Sequence, residues 1–225
     1  MSKTILITGA TGNLGEAVSA LLTKEGHSVI GTFVPGHKHP ENEVDYYPCD
    51  LTSAEDTNQL FESLQKKYKS IDAVIMLVGG FAMGNISTSK VSDLEKMMQL
   101  NLFTAYNTSS AGISWMKKGN GGKLIFVGAK PAIEGGAAAV LPYALSKNAV
   151  IKLAEIINED DTLENITASV IIPSIIDTPV NRSSMPDADF NNWVTPNEIA
   201  ENISYLISDK ANPLRETILK LYKNA

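Results

Sequence analysis

The segment TILITGATGNLGEAV, Thr4 to Val18, constrains this chain more than any other stretch. Its first residues form a short apolar run of the kind buried in a sheet, and the residues after Asn13 place apolar side chains at helical spacing. Between the two stand Gly9, Gly12 and Gly15. Gly9 permits a tight turn, Gly12 lets backbone N–H groups approach a pyrophosphate, and Gly15 permits close contact of helix and strand. The helix then starts with free N–H groups and the positive end of its dipole facing the loop. Asn13 and Leu14 complete the predicted cofactor-binding turn.

Further β-branched runs follow: SVIGTF (28–33), DYYP (45–48), AVIMLV (73–78), KLIFV (123–127), TASVII (167–172) and ETILKL (216–221). Amphipathic helical patterns separate them, including one long helix over 92–117 and another beginning at Tyr143. Continuous apolar strands alternating with helices predict an α/β fold. The expectation is a single domain over 1–225: a doubly wound, Rossmann-type, seven-stranded parallel sheet with helices on both faces. A chain of 225 residues is long enough for such a core. Ligands in these sheets sit beyond the C-terminal strand ends, which directs attention to the loops 79–92, 128–142 and 173–196.

Composition narrows the partners. A net charge of −6 without a long basic run argues against nucleic acid. No apolar stretch approaches membrane-spanning length and no leader pattern is seen, so no membrane partner is expected. The lone Cys49 fits a reducing, cytoplasmic setting. No metal site is expected.

Chemistry enters with YALSK, Tyr143 to Lys147. An i,i+4 pair projects from one helix face. There an ammonium favours the phenolate and lowers a phenol pKa that starts near about 10. A phenol so tuned can deliver a proton while a cofactor delivers hydride, and Lys147 can also bond ribose hydroxyls. The two long helices carry apolar residues beyond one stripe: Met97, Met98, Leu100, Leu102 and Phe103 on one, Ala144, Val150, Ile151 and Leu153 on the other. A second apolar face predicts a two-fold interface, hence a homodimer.

The glycine loop, Asp50 after the third strand, LVGG (77–80), Asn101 in QLNLF and YALSK together resemble the short-chain dehydrogenase/reductase family, over essentially the whole chain. DAVIMLVGGFAMGN (72–85), GAKPAIEGG (128–136) and IIPSIIDTPVNRSSMPDADFNNW (171–193) resemble its dihydropteridine reductase branch. That resemblance implies dimeric enzymes that use NADH or NADPH to return a quinonoid dihydropterin to its tetrahydro form. It implies Tyr143 as proton donor, Lys147 as ribose ligand, and Asn101 as a residue binding water behind the lysine. Asp50 and Leu51 would border the adenine, and Val78 and Gly79 the adenosine side. Pro173, Ile176 and Thr178 would hold the nicotinamide carboxamide.

Two positions depart from the wider family. Where most members place a serine before the tyrosine, VGAK supplies Gly128, Ala129 and Lys130, so a developing oxyanion loses one donor. After the second strand, Thr32 and Phe33 stand where an NAD-selective fold places an acid, and His37, Lys38 and His39 follow. Lys38 with the neighbouring histidines could attract a 2′-phosphate, so NADPH is expected to be accepted.

The segment 177–193 is expected to fold over the hydride-transfer face as a lid. Phe81, Ala129, Arg182 and Trp193 are the predicted substrate contacts, suited to a flat, polar-edged small molecule such as a pterin. A reductase of another carbonyl substrate, and a nucleotide-sensing protein without catalysis, stay open as alternatives.

Overall fold

Strand burial organises the molecule. In the computed structural model, which describes residues 2–225, seven parallel strands form one sheet in the order β3-β2-β1-β4-β5-β6-β7. They are β1 (Thr4–Thr8), β2 (Ser28–Phe33), β3 (Asp45–Pro48), β4 (Ala73–Met76), β5 (Gly122–Val127), β6 (Ile166–Pro173) and β7 (Ile218–Leu221). The chain steps outward from β1 to β3, then returns to β4 beside β1 and proceeds the other way. The doubly wound expectation is met, and the topological switch lies between β1 and β4.

Alternate residues of each strand serve opposite layers. Leu6, Val74, Leu124, Phe126 and Ile172 pack with Phe61, Trp115, Val150 and Ile151 from α2 (Ala54–Lys67), α4 (Thr104–Met116) and α5 (Leu141–Glu159). Ile5, Ile7, Ile75, Ile125 and Ile171 pack with Val18, Leu22, Ile199 and Ile203 from α1 (Asn13–Lys24) and α7 (Pro196–Ile207). Each fully buried aliphatic side chain contributes about 1.5–3 kcal/mol, so two complete layers hold the strand ends rigidly.

β5, β6 and α5 extend one or two residues beyond the expected bounds, and three boundaries differ for a visible reason. The fourth strand stops at Met76 because the amides of Leu77 and Val78 turn to the hydroxyl of Thr8, at 3.0 and 3.4 Å. The seventh begins at Ile218, since Glu216 takes a positive φ of 51°. The expected helix over 92–117 is α3 (Val91–Met97) joined to α4 through a wider π-helical turn, Met98–Phe103.

Candidate active site

The C-terminal edge of the sheet begins with the glycine turn. Gly9 has φ +64°, a conformation that favours glycine. A Cβ on Gly15 would lie 2.2 Å from the Gly9 carbonyl oxygen, so helix α1 approaches the turn as closely as its missing side chain allows. Gly12 is different: a Cβ there would meet only the Gly9 oxygen, at 3.4 Å. Nothing in the chain's own packing demands its bareness, which fits a turn kept open for a ligand. Gly12 also precedes α1 with no side chain capping the first N–H groups, and Asn13 and Leu14 begin that helix. Thr32, fully buried, accepts from the Gly9 amide at 3.3 Å, and its carbonyl accepts from Ala10 at 2.9 Å. These residues fit the pyrophosphate of a dinucleotide.

The neighbouring strand ends extend this groove. Asp50 accepts from the amide and hydroxyl of Thr52, at 3.0 and 2.6 Å. Leu51 is buried and its carbonyl is held by the Asn107 amide group at 3.0 Å. Val78 lies against Gly9, its Cγ2 3.1 Å from where a Cβ would stand. Beyond β2, His39 stacks on Tyr46 with centroids 4.8 Å apart and tilts against Phe33 at 5.0 Å. His37 and Lys38 are exposed beside this cluster.

The structure places Tyr143, Lys147 and Asn101 around the end of β5 and the loop after β4. Lys147 is 8% exposed, and its ammonium donates to the Val127 carbonyl at 2.8 Å. A Cβ on Gly79 would stand 3.2 Å from that nitrogen and 2.6 Å from Oδ1 of Asn101, so only glycine leaves the room. The expected tuning of the phenol by the ammonium is corrected here. Burial pushes the Tyr143 phenol up to about 12 and pulls Lys147 down to about 8, each with burial as its cause. Both groups are desolvated, and the ammonium is turned to a carbonyl rather than to the phenol.

Asn101 joins the loop after β4 to α5. Seated in the π turn, it accepts from the Gly80 amide at 2.8 Å and donates to the Gly80 carbonyl at 3.1 Å and to Ser146 Oγ at 2.9 Å. Its side-chain amide is held by protein groups on both its oxygen and its nitrogen. Ser146 in turn donates to the Tyr143 carbonyl at 2.8 Å. The sequence reading missed Ser146, although it sits between the tyrosine and the lysine of the motif.

Over Tyr143 lies Phe81, ring edge to face at 5.0 Å, yet 61% exposed. Its loop is pinned by backbone bonds from Gly84 to Ala139 and from Leu141 to Gly84, both 2.8 Å. Ala129 is buried and brings no hydroxyl to this corner.

In the segment after β6, two of the predicted substrate contacts are committed elsewhere. Arg182 forms a two-bond ion pair with Asp177, at 2.5 and 2.7 Å, and its guanidinium covers Phe190 at 4.6 Å. Trp193 is 2% exposed and tilts against Phe190 at 4.7 Å, so it anchors the segment instead of facing a ligand. A large aromatic in a loop gains more from burial than from waiting in water. Pro173 ends β6, Ile176 bridges to Val194, and Thr178 caps α6 (Pro179–Ser184) through the Asn181 amide at 3.3 Å.

One further joint was not anticipated. Glu134, upstream of Tyr143, receives Lys220 Nζ at 2.7 Å and the Tyr222 hydroxyl at 3.2 Å. Lys130 sits over the Tyr222 ring at 5.0 Å and donates to the Ala225 carbonyl oxygen at 2.7 Å. Lys223 pairs with Glu198, which completes the capping box at the start of α7 with Thr195. Residues 220–225 thereby tie the segment 128–142 to the start of α7.

Among the described residues, no helix is long and apolar enough to cross a membrane. The short chain dehydrogenase model matches residues 3–189. The chain is 25% identical over 226 residues to a dihydropteridine reductase of Dictyostelium discoideum, spanning 98% of this chain and 94% of that protein. It is 24% identical over 229 residues to the 3-oxoacyl-[acyl-carrier-protein] reductase MabA of Mycobacterium tuberculosis, spanning 97% and 91%. Among solved structures, ligand-free Thermoplasma acidophilum aldohexose dehydrogenase aligns with a TM-score of 0.88 at 24% identity, over 97% of this chain and 92% of that one. ElxO with NADP bound aligns at 0.89 with 21% identity, over 98% and 97%.

Proposed function

The chain belongs to the short chain dehydrogenase family of NAD(P)-dependent oxidoreductases, and on that premise we propose that it reduces a quinonoid dihydropteridine to the tetrahydro form. The observation that carries the reading is the pairing of Phe81 with Tyr143 above a corner where Ala129 replaces a hydroxyl. An exposed aromatic wall suits a flat heterocycle, and a conjugated imine-like acceptor needs one proton donor where a ketone oxyanion gains from two. The similarity to the Dictyostelium dihydropteridine reductase points the same way.

In this proposal reduced nicotinamide supplies the hydride. Tyr143 holds the accompanying proton at its hydroxyl, which burial keeps protonated through neutral pH. Lys147 anchors the nicotinamide ribose, and Gly79 gives the ammonium its space. Asn101 and Ser146 fix the N-terminal half of α5 against Gly80. The glycine turn with Asn13 and Leu14 takes the pyrophosphate; Asp50, Leu51, Val78 and Gly79 line the adenosine side; Pro173, Ile176 and Thr178 border the nicotinamide. Phe81 is the substrate wall. NADPH is accepted, because Phe33 and not an acid directly follows Thr32 at the end of β2, and exposed Lys38 lies within the loop that begins there.

The protein acts as a homodimer in the same proposal. Phe103, Tyr106, Leu145 and Ile156 are each 46–56% exposed and line one apolar groove between the π turn with α4 and α5. Of the residues first expected there, Met97, Ala144, Val150 and Ile151 are buried against the core, while Leu102, Phe103 and Leu153 line the groove. Such a stripe is covered by a second copy across a two-fold axis.

A second reading has its own observation. Met83 and Ile86 after β4 and Val180 after β6 are exposed apolar side chains, and the MabA similarity is nearly as great, so reduction of a 3-oxoacyl thioester is the competing activity. The test is oxidation of NADPH and NADH while the quinonoid pterin is generated continuously, beside 3-oxoacyl and simple ketone substrates. Turnover confined to the pterin supports the proposal. Efficient ketone reduction with an inert pterin overturns it.

A further inference from the structure

The opposite edge of the sheet, where the strands begin, carries a separate cluster of charge. A cleft of about 310 Å³ opens between the starts of β1, β5 and β6 and the segment after α7. Three cations line it: Lys3, Lys123 and Arg215. The acidic groups there are Asp72, Asp209 and Glu164. Two of them are already engaged, Asp209 by Lys3 at 2.7 Å and Asp72 by the Thr4 amide at 2.7 Å.

Lys123 and Arg215 have no such partner among the described residues. The Lys123 ammonium, half-buried, reaches only the Ser208 carbonyl, at a long 3.4 Å. Arg215 spends one nitrogen on the carbonyls of Asn212 and Leu214, at 2.7 and 2.9 Å, leaving the rest of its fork without a bond. Burial first, then the positive charge of Lys3, holds the Lys123 pKa below the ordinary lysine value; Asp209 opposes this and Arg215 adds to it. For Lys123, half-buried, desolvation and the charges of Lys3 and Arg215 together outweigh the support of Asp209, so an added anion beside it is favoured.

We propose that this cleft is an oxyanion site, in which the Lys123 ammonium and the Arg215 guanidinium grip a phosphate-class group. An ammonium and a planar fork beside a concave, partly desolvated wall form charge-assisted bonds to tetrahedral oxygens. The site is distinct from the glycine turn, which lies at the other end of β1. The inference does not depend on the pterin reading.

Titration with inorganic phosphate, followed by calorimetry at constant ionic strength, tests it. Wild type should bind saturably, with chloride inert at the same ionic strength. Lys123→Met and Arg215→Ala should each weaken binding at least about tenfold, the loss of one charge-assisted contact. Gly12→Asp, which places an acid in the other anion-facing turn, should remove phosphate binding at that turn alone and keep the component that Lys123→Met weakens. Retained melting temperature in Lys123→Met shows that its fold is intact. Equal phosphate affinity in Lys123→Met and wild type overturns the proposal, as does complete loss of saturable binding in Gly12→Asp.

Discussion

The Lys147 ammonium donates to the Val127 carbonyl at 2.8 Å, so the charge lies against the end of β5. Its folded pKa, about 8, is below the unfolded value near 10.5. The unfolded chain then binds more protons between those values, and stability rises with pH across the window. The full gain is about 3 kcal/mol at most. Tyr143, raised to about 12 from 10.0, acts oppositely above pH 10. Urea unfolding of wild type and Lys147→Met from pH 8 to 10 should show the wild type gaining relative to the variant; parallel curves contradict the assigned burial.

Tyr143→Phe removes the proposed proton while keeping the ring that Phe81 contacts at 5.0 Å. Turnover should fall at least about a hundredfold, with nucleotide affinity unchanged. Near-normal turnover in the purified variant would take Tyr143 out of the mechanism.

Gly15→Ala tests the glycine turn without touching any reacting group. Its new Cβ would meet the Gly9 oxygen at 2.2 Å and the Ala10 Cα at 2.7 Å, backbone atoms that must move. Destabilisation of about 1–3 kcal/mol is expected, with weakened nucleotide binding. Denaturant midpoints and nucleotide fluorescence titrations measure the two effects separately.

Cofactor choice is read from kcat/KM for both nucleotides. NADPH should be used at least as well as NADH, and Lys38→Glu should shift the ratio towards NADH about tenfold or more. A hundredfold NADH advantage in wild type defeats the expectation.

Phe103→Asp should leave a monomer, because it sets a charge in the apolar groove beside Leu145 and Leu153. Light scattering should give twice the chain mass for wild type and the single chain mass for the variant. A monomeric wild type at micromolar concentration rejects the interface.

The sheet and its order of winding were legible because buried parallel strands read as unbroken apolar runs, and Val29, Ile30, Ile75 and Ile125 carry that pattern plainly. The residues of the candidate site were legible as a list, since glycine spacing and the Tyr143–Lys147 interval are local features. Their environments were not. Whether Trp193 faces a ligand or the core depends on which residues the tertiary fold brings to Phe190, and no local spacing encodes that. The π turn at MQLNLF has neither proline nor glycine to announce it. Side-chain identity likewise says nothing of whether Lys147 points at a phenol or at a carbonyl.

The joint at Glu134 has a consequence for how this chain can change. Segments from before Tyr143 and from the last strand meet in one cluster, Glu134 with Lys220 and Tyr222. Exchanging the loop 128–142 for a relative's, a natural route to a new substrate, transplants half of that joint and strands the other half. Inheritance at Glu134 is therefore tied to inheritance at Lys220 and Tyr222, so a successful graft carries the tail with the loop.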